Sequence, residues 1–267
     1  MENNNAHIAV LIPHFNNLNG LQVSLASIEE DCEVDIVVVD DGSDRRPKPE
    51  NLNYNQGNIK VIALKKNRGI EYALNEGLKY IESKNYKYIG RLDCGDLCQP
   101  NRFKIQISFL QKNPKIALVG SWVNIIDEQG KFHYILKHPE SHAELSKKIY
   151  FNSMFVHPSV IFKTSILKDI GYYPTTYKAA EDYAFFFKVV KQFKTANIAK
   201  PLVDYVIDPN SISSQKRKVQ VKSRIKIILN HFYFGYYPIY GLFRNILLLF
   251  VSRNFTTVLK KMIYHKK

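Results

Sequence analysis

Two aspartates stand three residues apart in RLDCGDLCQPNR, residues 91–102, directly after the apolar stretch YKYIG. Carboxylates at a strand end suit a hard divalent cation, which takes few protein ligands when phosphates supply the rest. A salt-bridged loop, with Arg91 and Arg102 neutralising Asp93 and Asp96, accounts for the same residues. A second acidic group closes the run VVVDDGSDRR, residues 37–46, where Asp40, Asp41, Ser43 and Asp44 surround Gly42. Gly42 permits a tight turn that leaves carboxylates and a hydroxyl at the cleft, able to accept from ribose hydroxyls or a base imide. Asn67, Arg68 and Gly69 precede a helical stripe, a natural place to hold an anion, although neither the G-x-G-x-x-G nor the P-loop pattern is present. Glu181 and Asp182 in AAEDYAFFF sit in a first helical turn, where the dipole favours acids by about 0.3–1 kcal/mol. One of them held ionised is also a candidate general base, an effect of about 10²–10⁴ in rate. His157, in FVHPSV, is the remaining titratable candidate, with packing against chemistry left open. Trp122, Tyr172 and Tyr173 can stack on a sugar ring and equally fill a core.

The elements that must hold these groups are legible from apolar patterning. HIAVLIP (7–13), VDIVVVD (34–40) and IKVIAL (59–64) are short, β-branched and nearly continuous, as in parallel strands covered on both faces. Leu18 to Glu29 reads as a helix. Ile70, Ala73, Leu74, Gly77, Leu78 and Ile81 form a second helical stripe, and YKYIG (86–90) a fourth strand. This alternation implies right-handed βαβ crossovers and an α/β sheet whose ligands lie beyond the strands' carboxyl ends. Pro100 is expected in the first turn of the next helix. KIALVGSWV (115–123), KFHYILK (131–137) and VHPSVIFK (156–163) read as strands. Residues 180–193 read as a helix burying Tyr183, Phe186, Phe187 and Val190, and the chain from about Ser213 as helical.

From IAVLIPHFNN through VVVDDGSD, NRGIEYALNEGL, RLDCGDLCQPNR, HPSVIF and AEDY, the chain resembles the inverting family 2 glycosyltransferases with the GT-A fold, over residues 7–210. The resemblance implies a mostly parallel, Rossmann-like α/β domain: a nucleotide-sugar-binding half (1–100) and an acceptor-binding half (101–212), followed by a basic helical tail (213–267). It implies a hexosyltransferase-type enzyme using a nucleotide-sugar, of the uridine diphosphate kind, on a glycan or lipid-linked acceptor in cell-surface polysaccharide or lipopolysaccharide synthesis. Pro13, Asn16, Asp40, Asp41, Asn67, Arg68, Gly69, Arg91 and Asp93 fall at donor positions, and His157 on the acceptor side. Asp182 falls at the catalytic base, with Glu181 beside it. Asp93 and Asp96 fall at metal positions for Mn²⁺ or Mg²⁺. The family's D-x-D-D is broken by Gly95, at the usual ligand position. Three arrangements are therefore open: a cation on the remaining aspartates and the diphosphate, a basic residue in its place, or a weakened site. A non-catalytic nucleotide-sugar or glycan binding module is the alternative function. DYVIDPNSIS (204–213) looks like the family's closing segment, without the histidine often found near Asp208.

Twelve of the fourteen net positive charges lie after Asp208, in a stretch with no Asp or Glu. Its Phe, Tyr and Leu residues are mixed with Lys and Arg, and only ILLLFV is continuously apolar, short of the roughly 20 residues a spanning helix needs. This composition suits helices lying on an anionic membrane surface, each basic residue contributing about 1 kcal/mol. No nucleic-acid motif accompanies the charge, and no nucleic acid is expected as a partner. The polar start MENNNAHIAV and the odd set Cys32, Cys94 and Cys98 lead to the expectation of a cytoplasmic chain, without a signal or disulfides, on the inner face of the cell membrane.

Overall fold

The computed structural model describes residues 8–207 and 216–251. Strands β1 (Ile8–His14), β2 (Asp35–Asp40), β3 (Ile59–Ala63) and β4 (Tyr88–Arg91) form a parallel block in the order β3-β2-β1-β4. Every residue of β2 is buried, which is why its apolar run is unbroken rather than alternating. The period of two along the strands builds two cores. Ala9, Leu11, Val37 and Val39 face α2 (Ile70–Glu82), while Ile8, Val10, Ile12, Ile36 and Val38 face α1 (Leu18–Ala26) and α3 (Arg102–Lys112).

Beyond β4 the sheet becomes mixed. β8 (Ile161–Lys163) pairs antiparallel with β4 and with β6 (Ile116–Ile126). β7 (Phe132–Leu136) pairs with β6 farther along, and β9 (Lys194–Val206) runs parallel to β6. The two-residue β5 (Leu97–Cys98) pairs antiparallel with β9 and completes a single nine-stranded sheet. The fold is thus the expected α/β class, and one sheet runs through both halves.

Several local expectations shift. Pro100 precedes rather than enters α3, because Asn101 takes a left-handed conformation (φ 57°) as the residue before the helix. His157–Ser159 forms a 3₁₀ turn, so β8 starts only at Ile161. The short α4 (His142–Lys148) and α5 (Leu167–Ile170) and the long β9 were not expected. In α6 (Glu181–Gln192) the burial extends around the helix, to Ala184, Phe185 and Val189 as well as the predicted stripe.

The tail is helical where described, as α7 (Arg217–Asn230) and α8 (Tyr236–Phe250). It is also part of the body. Ile227 and Ile228 lie in the main core, His231 stacks on Phe187 at 4.7 Å, and the Tyr150 hydroxyl donates to the His231 carbonyl at 2.7 Å.

Candidate active site

The carboxyl ends of β2, β1 and β4 stand side by side. Asp40 is fully buried and faces inward: His14 Nδ1 lies 2.8 Å from its Oδ1, and the Ser43 hydroxyl donates to the same oxygen at 2.5 Å. The Asn17 amide donates to His14 Nε2 at 3.2 Å, which puts the imidazole proton on Nδ1, toward Asp40. Serine, histidine and aspartate meet here without the geometry of a nucleophilic triad, since the hydroxyl serves the carboxylate and Nε2 is occupied. The trio clamps the two strand ends. Ser43 in turn accepts the Asn16 amide at 2.8 Å, and Asn16 and Asp44 exchange two further hydrogen bonds. Asp40 was expected to face a donor, and in this structure it is committed to the clamp.

Asp41 accepts the Arg68 amide on one oxygen (2.9 Å) and the Gly69 amide on the other (2.8 Å). The anion held before α2 is thus the protein's own carboxylate. Burial raises the Asp41 pKa against the opposing pull of these amides. Gly42 makes this possible: its φ is +76°, and a Cβ there would stand 2.4 Å from the Lys66 carbonyl carbon.

At the end of β4, Arg91 is wholly buried. Its guanidinium pairs with Asp93 at 2.5 Å, donates to the Leu11 carbonyl, and donates to His157 Nε2 at 3.3 Å. Expected among the donor contacts, Arg91 instead fixes Asp93, whose side chain remains about a third exposed. Arg102, also without exposed surface, donates to the carbonyls of Arg91 (2.8 Å) and Pro158 (2.6 Å) and does not pair with Asp96. Asp96, expected as a metal ligand, is buried and accepts the Val206 amide at 2.9 Å; burial and the nearby Asp93 hold its pKa well above the usual carboxylate range. Gly95 has φ +101° with open space around it, so backbone conformation and not crowding selects glycine there. Among the described residues, no group of three or more His, Cys, Asp or Glu is placed to hold a metal ion.

His157 Nε2 lies 2.9 Å from the Tyr173 hydroxyl, and Tyr173 stacks on Phe185. Burial and Arg91 push the His157 pKa well below its ordinary value, leaving a neutral ring. Tyr173 is a core residue; the Trp122 indole donates to the His138 carbonyl.

The start of α6 closes the arrangement. Asp182 accepts its neighbouring Tyr183 amide at 2.7 Å and remains partly exposed. Glu181 is buried, with Oε2 lacking a partner among the described residues. Burial, then the Asp182 charge, pushes the Glu181 pKa up to about 8, so this acid is mostly protonated at neutrality. Burial also raises Asp182, opposed by the Tyr183 amide and the Arg224 charge and reinforced by Asp93. Asp93, Glu181 and Asp182 therefore share one electrostatic neighbourhood. Asp41 adjoins it through β1, since its amide donates to the His14 carbonyl while Cys94 donates to the Pro13 carbonyl. Two hollows of the described surface lie elsewhere, along α3 and beside β9, lined by residues such as Lys104, Phe109 and His142. The acids mark this site by their chemistry.

A family profile described as "Glycosyl transferase family 2" matches residues 9–171, the stretch that carries both strand-end acid groups and His157. The chain belongs to glycosyl transferase family 2. This family 2 chain is 30% identical over 203 residues to "UDP-Gal:alpha-D-GlcNAc-diphosphoundecaprenol beta-1,3-galactosyltransferase" of Escherichia coli, covering 76% of itself and 71% of that protein. It is 30% identical over 250 residues to "Bifunctional glycosyltransferase pgtA" of Dictyostelium discoideum, covering 79% of itself but only 32% of that longer protein. Its fold matches Staphylococcus aureus TarS 1-349, solved in complex with UDP-GlcNAc (TM-score 0.64, 20% identity, 91% of this chain and 70% of that one). It also matches a Pyrobaculum calidifontis mannosyltransferase solved with GDP-Man and Mn²⁺ (TM-score 0.62, 14% identity, 92% and 70%). The family profile ends before Glu181 and Asp182, so their place beside Asp93 comes from the geometry.

Sequence reasoning missed two groups. Arg102 was seen only as a possible counter-charge to Asp96, and nothing in a lone arginine at a helix start signals two carbonyl acceptors. Arg224 was counted with the surface charge of the tail, although it stands beside Asp182.

Proposed function

We propose that this chain transfers a sugar from a uridine diphosphate sugar to a hydroxyl of a glycan or lipid-linked glycan, with inversion at the anomeric carbon. The observation that carries the reading is the pair at the start of α6, Glu181 largely protonated and Asp182 partly exposed, set beside Asp93 at the end of β4. Burial raises both acids, but Asp182 alone keeps solvent access and the nearby Arg224 charge, which favour its ionised form as the base. Asp182 takes the proton of the acceptor hydroxyl as that oxygen attacks, and the bond to the nucleoside diphosphate breaks on the opposite face. An α-linked donor then yields a β-glycoside. The similarity to a relative named for UDP-Gal supports the uridine donor. Pro13, Asn16 and Asp41, with residues 67–69, form the nucleotide's wall, and His157 with Tyr173 underlies the acceptor's.

A divalent cation, Mn²⁺ or Mg²⁺, fits only in a reduced form: the free oxygen of Asp93 and the donor's phosphates would hold it, where it would offset charge growing on the leaving group. Asp182→Asn is expected to keep uridine diphosphate affinity and lose about 10²–10⁴ in transfer rate. Near-normal turnover in this variant, measured with a panel of uridine diphosphate sugars, refutes the assignment.

The reading extends to an anionic membrane, at the cytoplasmic face. α8 exposes Tyr236, Ile239, Tyr240, Phe243, Leu247 and Phe250 at helical spacing, and α7 exposes Lys218, Lys222 and Lys226 on one stripe. Apolar rings beside a basic row suit a helix pair resting on lipid headgroups. No helix among the described residues is long and apolar enough to cross a membrane.

A further inference from the structure

The basic group that acts most strongly on the proposed base lacks a hydrogen-bond partner at its Nε. Arg224 is carried on α7, which is anchored by buried Val221, Ile227 and Ile228 and by the Ser223 hydroxyl donating to the Lys178 carbonyl at 2.9 Å. Its guanidinium lies 5.8 Å from the Tyr183 ring centre, and its Nε is buried without a hydrogen-bond partner. Among the described residues it makes no ion pair, although Asp182 is its strongest stabilising charge. Arg91 differs, being saturated by Asp93, His157 and the Leu11 carbonyl. A half-buried guanidinium whose Nε is left without a partner is held ready for an anion, and its planar fork matches phosphate oxygens.

Two clusters meet at Asp182. Asp93 and its partner Arg91 belong to the donor's side of the function proposed above, with His157 and Tyr173 adjoining them under the acceptor's wall. Arg224, the basic neighbour of Asp182, is itself in the field of Arg217 and Arg244, all three on α7 and α8. These arginines are carried by the two helices whose exposed rings and lysines suit a lipid surface, which ties them to an acceptor that ends in lipid. Arg244 also belongs to α8, the helix with the exposed apolar stripe, and is tied down by donating to the Phe151 carbonyl at 2.5 Å.

We propose that Arg224, in the field of Arg217 and Arg244, binds a phosphate of the acceptor, which is therefore a sugar joined to a lipid through a phosphate or diphosphate. The inference rests on the glycosyltransferase reading for the role of Asp182. The phosphate lies beside the attacking sugar, and the lipid continues toward the face of α8.

Octyl diphosphate and uridine diphosphate serve as separate probes, titrated calorimetrically into the full chain and into its Arg224→Gln and Arg224→Lys variants. Arg224→Gln is expected to weaken octyl diphosphate about tenfold or more, the loss of a charge-assisted hydrogen bond, with uridine diphosphate affinity unchanged. Arg224→Lys, which keeps the charge and is the milder change to a packed helix, is expected to fall between. Both probes should bind together to the wild type. Equal octyl diphosphate affinity in all three proteins overturns the proposal. Weakened uridine diphosphate binding, or mutual exclusion of the probes, also overturns it and moves Arg224 to the donor. A wild type that ignores uridine diphosphate sinks the function proposed above, while the octyl diphosphate arm still decides what Arg224 binds.

Discussion

Asp182 and Glu181 are adjacent and share a helix end; burial raises both, and Glu181 is enclosed while Asp182 stays partly wetted. Glu181 holds its proton in the folded chain up to about pH 8, against an ordinary value of 4.5. Between those values the folded chain binds more protons than the unfolded one, so this group makes stability fall as pH rises through the window. Glu181→Gln, which keeps the shape without the charge, is expected to flatten that fall in melting curves collected from pH 5 to 9. Each kcal/mol recovered at the alkaline end raises Tm by about 2–4 °C for a chain of this size. A variant as pH-sensitive as the wild type contradicts the assignment. The types and order of the site acids could be read along the chain, but their roles could not. Asp40, Asp96 and Arg91 look like cleft groups in a string of letters, and only burial shows them turned toward His14, Val206 and Asp93.

At the scale of elements, the strands of the parallel block were legible because their apolar runs are continuous, and α2 because its stripe is clean. β9 was not: KTANIAKPLVDYV is interrupted by lysines and Pro201, and its register against β6 shifts at Trp122. α4 offered only one buried residue, Leu145, too little for a periodicity. The turn from Asp93 to Asp96 is the element where sequence and site part company. Gly95 interrupts the acidic pattern, and its φ of +101° gives a backbone reason, the turn being closed by the Asp96 amide donating to the Asp93 carbonyl at 3.1 Å. Because a Cβ there meets nothing within 4 Å, Gly95→Asp is expected to cost only the conformational strain, about 1–3 kcal/mol. The added carboxylate should tighten Mn²⁺ binding, read by calorimetry with uridine diphosphate present. Unchanged Mn²⁺ affinity in a folded variant removes this turn from any part in holding a cation.

On the scale of the whole molecule, the charge asymmetry suggested a body and an appendage, and the described structure replaces that picture. α7 and α8 are docked: Asn245 is buried, and the Gly241 position lies 2.3 Å from the Tyr150 carbonyl oxygen if a Cβ is added. Composition alone could not reveal this, since Ile227 and Ile228 look no different from their exposed neighbour Leu229. Deleting residues 213–267 would strip the core of α6, so surface changes are the better probe of membrane contact. Phe243→Glu with Leu247→Glu, both on the exposed stripe, is expected to leave Tm within a few degrees and to abolish co-flotation with vesicles containing phosphatidylglycerol. Flotation equal to that of the wild type ends the membrane reading.

The antiparallel seam between β4 and β8 has one more implication. Asp93 follows the first of these strands and His157 precedes the second, and Arg102 bolts both approaches together through the carbonyls of Arg91 and Pro158. In the function proposed above, the walls for the two substrates are thus joined through one hydrogen-bonded seam, which ties the spacing of the reacting partners to the packing of these two strands.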